Sequence, residues 1–247
     1  MPKPGHRFIV ADFSAIEARG LSWLAGEEWR MQVFRTHGKI YEATAANMFN
    51  VPIESITKTS PLRQRGKQAE LGCGYGGSVG ALISMGALDN GIKESELQGI
   101  IDAWRKANPK ICKLWYDVDK AVMNVLKGNG PQRVGKLLFG MGAGRLIAKL
   151  PSGRRIAYKR PRITVNRFGR ESFEYDGLGM GNKWGTLESY GAKVVENCVA
   201  EGTLVLTKDG LIPIECITPD AQIWDGEEWV HHEGLISKGR QHTVQIS

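Results

Sequence analysis

One change of pattern constrains the fold of this chain more than any other. A helix-like segment beginning at Thr186, with Leu187, Tyr190, Val194 and Val195 as an apolar stripe, stops at Asn197. From Cys198 onward every segment alternates or clusters like a strand: TLVLT, a turn at Asp209-Gly210, LIPIECI, QIW, a turn at Asp225-Gly226, EWVHHEGLI and HTVQIS. Charge changes at the same place. Residues 198–247 hold three lysines and arginines against eight acids, whereas residues 1–197 hold 30 against 18. Two units with different partners are expected, 1–197 and 198–247, the first basic enough to favour nucleic acid or phosphates. The fold class expected is α+β, with an all-β final segment.

Other classes are excluded early. No apolar run approaches the roughly 18–20 residues needed to span a bilayer. The opening MPKPGHRFIV leads directly into polar sequence and is no signal peptide, so the expected location is the cytoplasm. Cys73, Cys112, Cys198 and Cys216 include no CxxC pair, which predicts free thiols in a reducing compartment. His231 and His232 read as surface residues rather than ligands, and Cys216 as core.

Within the first unit, Phe8 to Val10 reads as a strand ending at Asp12, and Ile16 to Trp23 as a helix start. Residues 37–50 are helical in composition. Ser60-Pro61 is a helix entry, with Ser as the cap and Pro in the first turn; the pattern that follows runs to about Gly86. Lys93 to Ala107 and Pro109 to Leu126 are amphipathic helices separated at Asn108-Pro109. LIAKLPSGRRIAY is a hairpin turning at Ser152-Gly153, and residues 161–184 are irregular with short strands.

Arg63, Lys67, Leu71 and Tyr75 recur at four-residue steps. Such a step advances about 400° around a helix and about 6 Å along it, so the four form one slowly winding stripe. Cations at one end and an aromatic ring at the other suit the phosphates and base of a nucleoside triphosphate. The alternative is a solvated basic face followed by core residues. The stripe then runs into Gly72, Gly74, Gly76, Gly77 and Gly80, each costing about 1 kcal/mol inside a helix. Glycines in this place imply a bend or the close approach of another group. Gly72, Gly74 and Gly77 match GxGxxG, but no strand precedes them, which argues against a dinucleotide fingerprint. Asp12, at a strand end, fits either a metal anchor or a helix N-cap.

The stretch Asp12-Phe13-Ser14-Ala15-Ile16-Glu17-Ala18-Arg19 resembles motif A of the family A DNA polymerases, and Arg63-x3-Lys67-x3-Leu71-x3-Tyr75-Gly76 resembles their motif B. The order and separation agree with the family, and ALDNGIKESELQGIIDAWRKANPKICKLW and LPSGRRIAY are similar to its phage branch. The resemblance covers residues 1–197 and implies helical fingers with partial palm strands. It implies that Asp12 ligates two Mg²⁺ ions with the Phe13 backbone carbonyl nearby. Glu17 would be the steric gate against a ribose 2′-OH. Arg63 and Lys67 would hold the dNTP triphosphate, Lys67 also protonating pyrophosphate. Leu71 would stand in the dNTP pocket, with Tyr75 and Gly76 at the nascent pair and template. Primer–template DNA and dNTPs are the implied partners, with no membrane, in the host cytoplasm if the chain is phage-encoded.

The sequence departs from the family at Leu71, where Phe or Tyr is usual, and at Tyr41, where many relatives have His. The metal-binding Asp of motif C is not found, so the chain alone is expected not to polymerise. Relatives continue as VEN-x-VQA-x-ARD, whereas this chain reads VVEN and then CVAEGTLVLTKDG. Cys198 to Ser247 resembles the N-terminal part of an intein (Hint) domain. Cys198 would be the splicing nucleophile attacking the Asn197 carbonyl at the junction. The rest of the polymerase and of the intein would then be partners. His242 has no TxxH pattern around it. The alternative for Cys198 is a buried helix cysteine. A non-catalytic nucleic-acid or nucleotide-binding protein, and one half of a split intein splicing in trans, are the other readings.

Overall fold

The computed structural model describes residues 15–179 and 183–200, with side chains through 198, and four strand segments between 204 and 231 by backbone alone. The chain divides into two units: Ala15–Glu201, and Met1–Ser14 together with Gly202–Ser247.

The larger unit begins with helices α1 (Ile16–Ala25), α2 (Glu28–Thr36) and α3 (Ile40–Phe49), followed by a short 3₁₀ turn at Ile53–Ser55. Next come α4 (Pro61–Cys73), α5 (Val79–Ser84), α6 (Glu94–Ala107) and α7 (Pro109–Leu126). Leu97, Ile100, Ile101 and Trp104 make the buried stripe of α6. Ile111, Leu114, Trp115, Val118, Ala121, Val122 and Val125 make that of α7. Both follow the helical period, so each helix has one face to bury. The two stripes meet where Trp104 and Trp115 stack, ring centroids 5.9 Å apart. The Glu27 carboxylate accepts the backbone N–H of Lys110 at 2.8 Å, supplying an anion to the exposed donors at the start of α7.

Six strands follow: β1 (Gln132–Val134), β2 (Leu137–Gly142), β3 (Arg145–Lys149), β4 (Arg155–Val165), β5 (Glu171–Leu178) and β6 (Trp184–Ser189). They form one antiparallel meander in sequence order. Leu137, Phe139, Leu146, Ala148, Tyr158 and Phe173 alternate onto one face and join the α7 stripe in the core. Helix α8 (Gly191–Ala200) closes the unit against α7. Its first residue needs to be glycine: a Cβ on Gly191 would lie 2.1 Å from the Trp115 carbonyl oxygen. The second unit contains β7 (Leu204–Thr207), β8 (Gly210–Pro213), β9 (Gln222–Trp224) and β10 (Trp229–His231), an antiparallel sheet ordered β10-β9-β7-β8.

The class is α+β, as expected, and α1, α3, α4, α6, α7 and the β3–β4 hairpin fall where the sequence puts them. Three expectations are corrected. The helix expected from Thr186 begins at Gly191, because residues 184–189 pair with β5 instead, Leu187 opposite Tyr175. Residues 161–184 are not short irregular strands: β4 and β5 are 11 and 8 residues long. Pro161 lies in the register shift between Lys159 and Arg162, where a missing N–H breaks no ladder bond. The stretch after Ser60 is two helices rather than one continuous pattern. Helix α2 was not anticipated. The expected strand at Phe8 to Val10, Cys216, His232 and the segment HTVQIS lie outside the described residues. Among the described residues, no helix is long and apolar enough to cross a membrane.

Candidate functional site

Helix α4 starts as a capped helix should. The Ser60 Oγ accepts the Leu62 N–H at 3.2 Å and Pro61 occupies the first position. One face of α4 is sunk in the protein through Gly66, Gln68, Ala69, Glu70, Gly72 and Cys73. Burial pushes the Cys73 thiol up to about 12, so it stays protonated and serves as core.

Glu70 is the anchor of that face. Its Oε2 accepts from Arg30 Nη2 at 2.5 Å, while Oε1 accepts from Arg30 Nη1 at 2.7 Å, Thr44 Oγ1 at 2.7 Å and Trp104 Nε1 at 2.9 Å. Arg30 also donates to Ser22 Oγ at 2.7 Å and Asn108 Oδ1 at 3.0 Å. Arg30 is 0% exposed and Glu70 is 9% exposed, so both charges have left water. A buried pair of this kind holds only when its remaining donors and acceptors are met, and here they are. The network ties α1, α2, α3, α4 and α6 to one point and fixes the rotation of α4 about its axis. Sequence reasoning missed it, since isolated charges at residues 30 and 70 look like surface.

The other face of α4 carries the stripe. Arg63 and Lys67, one turn apart, are both half-exposed, and Leu71 is 47% exposed. Arg63 Nε donates to Glu42 Oε1 at 2.7 Å, and its guanidinium lies 5.6 Å from the Tyr41 ring centroid. Burial would raise the Glu42 carboxyl, but the Arg63 bond and charge outweigh it and hold that carboxyl below its ordinary range. The clasp leaves the two terminal Arg63 nitrogens without a partner among the described residues. Lys67 makes no ion pair with any described residue.

Tyr75 follows the end of α4, half-buried against the core. Burial pushes its phenol well up, and the charges of Glu17 and Glu196 push it further. Glu17, exposed in the first turn of α1, is therefore within electrostatic reach of the far end of the stripe. The glycine break has a local cause. Gly76 sits at φ +77° with Ala192 Cβ only 3.0 Å from where a Cβ would go, and a Cβ on Gly77 would lie 1.9 Å from the Gly72 carbonyl oxygen. The chain folds back on itself there, so the close approach predicted from composition is made by its own backbone. Gly72, Gly74 and Gly77 come at the end of a helix, not at its entrance after a strand.

Asp12 and Phe13 lie outside the described residues. Among the described residues no group of three His, Cys, Asp or Glu could hold a metal ion. Asn197 and Cys198 fall inside α8, which continues to Ala200; the Asn197 amide donates to the Tyr158 hydroxyl at 3.1 Å and Cys198 is buried in the core. That is the placement of the helix-cysteine alternative. At the start of α1, Ala15 is held at φ 53°, ψ 40°, a left-handed conformation costly for a residue with a Cβ.

Residues 1–125 match the family model for DNA polymerase family A. The chain is 55% identical over 201 residues to a DNA polymerase of Bacillus phage SP02, covering 81% of this chain and 31% of that one. It is 31% identical over 107 residues to DNA polymerase I of Pseudomonas aeruginosa, which covers 43% of this chain and 11% of that one. A DNA polymerase of Mycobacterium phage D29 is 28% identical over 127 residues, 51% of this chain and 19% of the relative. The chain thus spans less than a third of the length of each of these relatives.

Proposed function

The chain belongs to DNA polymerase family A, and from that premise we propose that it contributes the nucleotide-binding helix and the motif A carboxylate of a template-directed DNA polymerase. The observation that carries this reading is the division of α4: a buried face locked by Arg30–Glu70, and an open face on which Lys67 has no ion-pair partner among the described residues. In this reading Arg63, oriented by Glu42, gives its free nitrogens to the triphosphate of a dNTP as a fork. Lys67, one turn on, adds a point charge and donates a proton to departing pyrophosphate. Tyr75 lies against the nascent pair with Gly76 beside the template, and Leu71 borders the dNTP pocket. Glu17, whose charge reaches Tyr75, fills the space of a ribose 2′-OH. Asp12, with the Phe13 carbonyl, is the carboxylate for magnesium, which supplies charge stabilisation at the transferring phosphoryl group.

Primer extension by the complete polymerase tests this. Asp12→Ala is expected to abolish extension, and Glu17→Ala to admit ribonucleotides. Unchanged sugar selection in Glu17→Ala overturns the gate assignment. Residues 1–247 alone are expected not to extend a primer.

For residues 198–247 we propose the beginning of an intein, with Cys198 as nucleophile at Asn197. The separate four-stranded antiparallel sheet between 204 and 231 supports this reading. Coding sequence after Ser247 is expected to supply a TxxH block and a terminal Asn; a frame that continues directly into polymerase sequence overturns it.

A further inference from the structure

Helix α8 runs through the bond that the intein reading would cut. It spans Gly191–Ala200, so the Asn197–Cys198 peptide lies inside it rather than at an end. The helix is held at several points. Asp119 Oδ1 accepts the Gly191 N–H at 2.8 Å, meeting one of the donors that the start of a helix leaves unpaired. Gly191 itself lets α8 lie against α7: besides the Trp115 carbonyl oxygen, the Asp119 Cβ would be only 2.7 Å from an added Cβ. Ala192, Val194, Val195 and Cys198 are all buried in the core. At the bond itself, the Asn197 amide donates to the hydroxyl of Tyr158, a buried residue of β4.

The chemistry assigned to Cys198 needs the opposite surroundings. In the acyl shift its Sγ bonds to the Asn197 carbonyl carbon, the C–N bond of that peptide breaks, and the thiol proton ends on the released Cys198 amine. The peptide must leave its plane, and its nitrogen must be open to a proton. Within α8 that nitrogen donates to the Val194 carbonyl, as the helical ladder requires, and the thiol is packed in the core. Solvent bases and added thiols are kept from both groups there. Cys198 can therefore be a core residue or a nucleophile, but not both in one conformation.

We infer that docking of α8 is an autoinhibitory contact: it holds back the first step of splicing, so that cleavage at Asn197–Cys198 proceeds only from the undocked helix. This rests on the reading of residues 198–247 as the beginning of an intein. The observed cleavage rate is then the rate of the undocked form multiplied by the fraction undocked, as for any reaction that requires local opening. A short helix suits such control. A helix of 10 residues is marginal alone in water, so α8 keeps its form through the face it buries. Folding of the Ala15–Glu201 unit thus shuts off a reaction that a nascent or loosened chain allows.

The test uses the complete precursor, polymerase and whole intein, with the terminal Asn of the intein replaced by Ala so that splicing does not run to completion. Release of the fragment ending at Asn197 is followed by mass spectrometry in excess dithiothreitol, whose thiolate attacks the thioester and frees the Cys198 thiol. Amide hydrogen exchange over residues 191–198 is read on the same samples. Tyr158→Phe removes one neutral hydrogen bond from Asn197 and is expected to speed release about fivefold. Gly191→Ala forces a Cβ onto the Trp115 carbonyl and is expected to speed it by about tenfold or more. Cys198→Ala is expected to release none. Across the series, faster release should accompany faster exchange of the α8 amides. Release as fast in the parent as in Tyr158→Phe and Gly191→Ala, and lost in Cys198→Ala, overturns the autoinhibition while leaving the intein reading in place. No release at Asn197 from any of these proteins, even where the α8 amides exchange freely, overturns both.

Discussion

The two faces of α4 handle charge in opposite ways. On the inner face, Glu70 meets Arg30, Thr44 and Trp104, and Arg30 in turn meets Ser22 and Asn108. On the outer face, Arg63 is tied through one nitrogen, and Lys67 through none to any described residue. A buried charge must be fully partnered or the fold fails. A half-exposed cation can stand unpartnered because water solvates it, and an arriving anion can then take the place of that water. The contrast teaches that the inner pair sets where the helix is, while the outer cations are available for chemistry.

The largest test of this contrast is on the inner face. Glu70→Ala leaves Arg30 buried and unpaired and is expected to cost about 3–5 kcal/mol. Replacing both, as Arg30→Met with Glu70→Leu, is expected to cost much less than the single change. Denaturant unfolding of the three variants checks it, and a cost under about 1 kcal/mol for Glu70→Ala would show that the pair does not anchor the helix.

Next in size is the clasp at the stripe's entrance. The Glu42 carboxyl is held below its unfolded value of 4.5, so the unfolded chain binds more protons across that window. Its stabilisation is present above the unfolded value and is lost as pH falls through the folded value. The pair is partly exposed and contributes no more than about 1 kcal/mol. Glu42→Gln should therefore flatten the decline in melting temperature below about pH 4.5. A decline as steep as the parent's would mean that other carboxylates account for it.

The smallest effect is expected at Ala15, whose left-handed backbone penalises a Cβ. Ala15→Gly should gain about 0.5–1 kcal/mol, the relief of strain exceeding the entropy that glycine adds to the unfolded chain. A loss of stability on thermal melting would mean that the conformation is not strained.

Much of this was legible in the sequence because local signals and packing agreed. Ser60-Pro61 marks the start of α4, and the apolar spacing of α6 and α7 matches the faces they bury. The stripe at Arg63, Lys67 and Leu71 needed only the helical period. Strand β6 was misread because Leu187, Tyr190 and Val194 fall at helical spacing, and pairing with β5 outweighed that spacing. The Arg30–Glu70 network could not be read, since no local pattern distinguishes a charge that will be buried from one that stays in water. The glycine cluster was legible as a close approach: a Cβ on Gly77 would strike the Gly72 carbonyl oxygen, and one on Gly76 would crowd Ala192.

We propose that the open face of α4 receives a nucleoside triphosphate. Equilibrium titration of dATP with Mg²⁺ into folded parent chain, Lys67→Ala and Lys58→Ala tests it most directly. Removing a charge-assisted hydrogen bond of about 1.5–3 kcal/mol corresponds to a tenfold or greater fall in affinity. That fall is predicted for Lys67→Ala, with a melting temperature like the parent's, and no change for Lys58→Ala. Equal dATP affinity in all three proteins would contradict it.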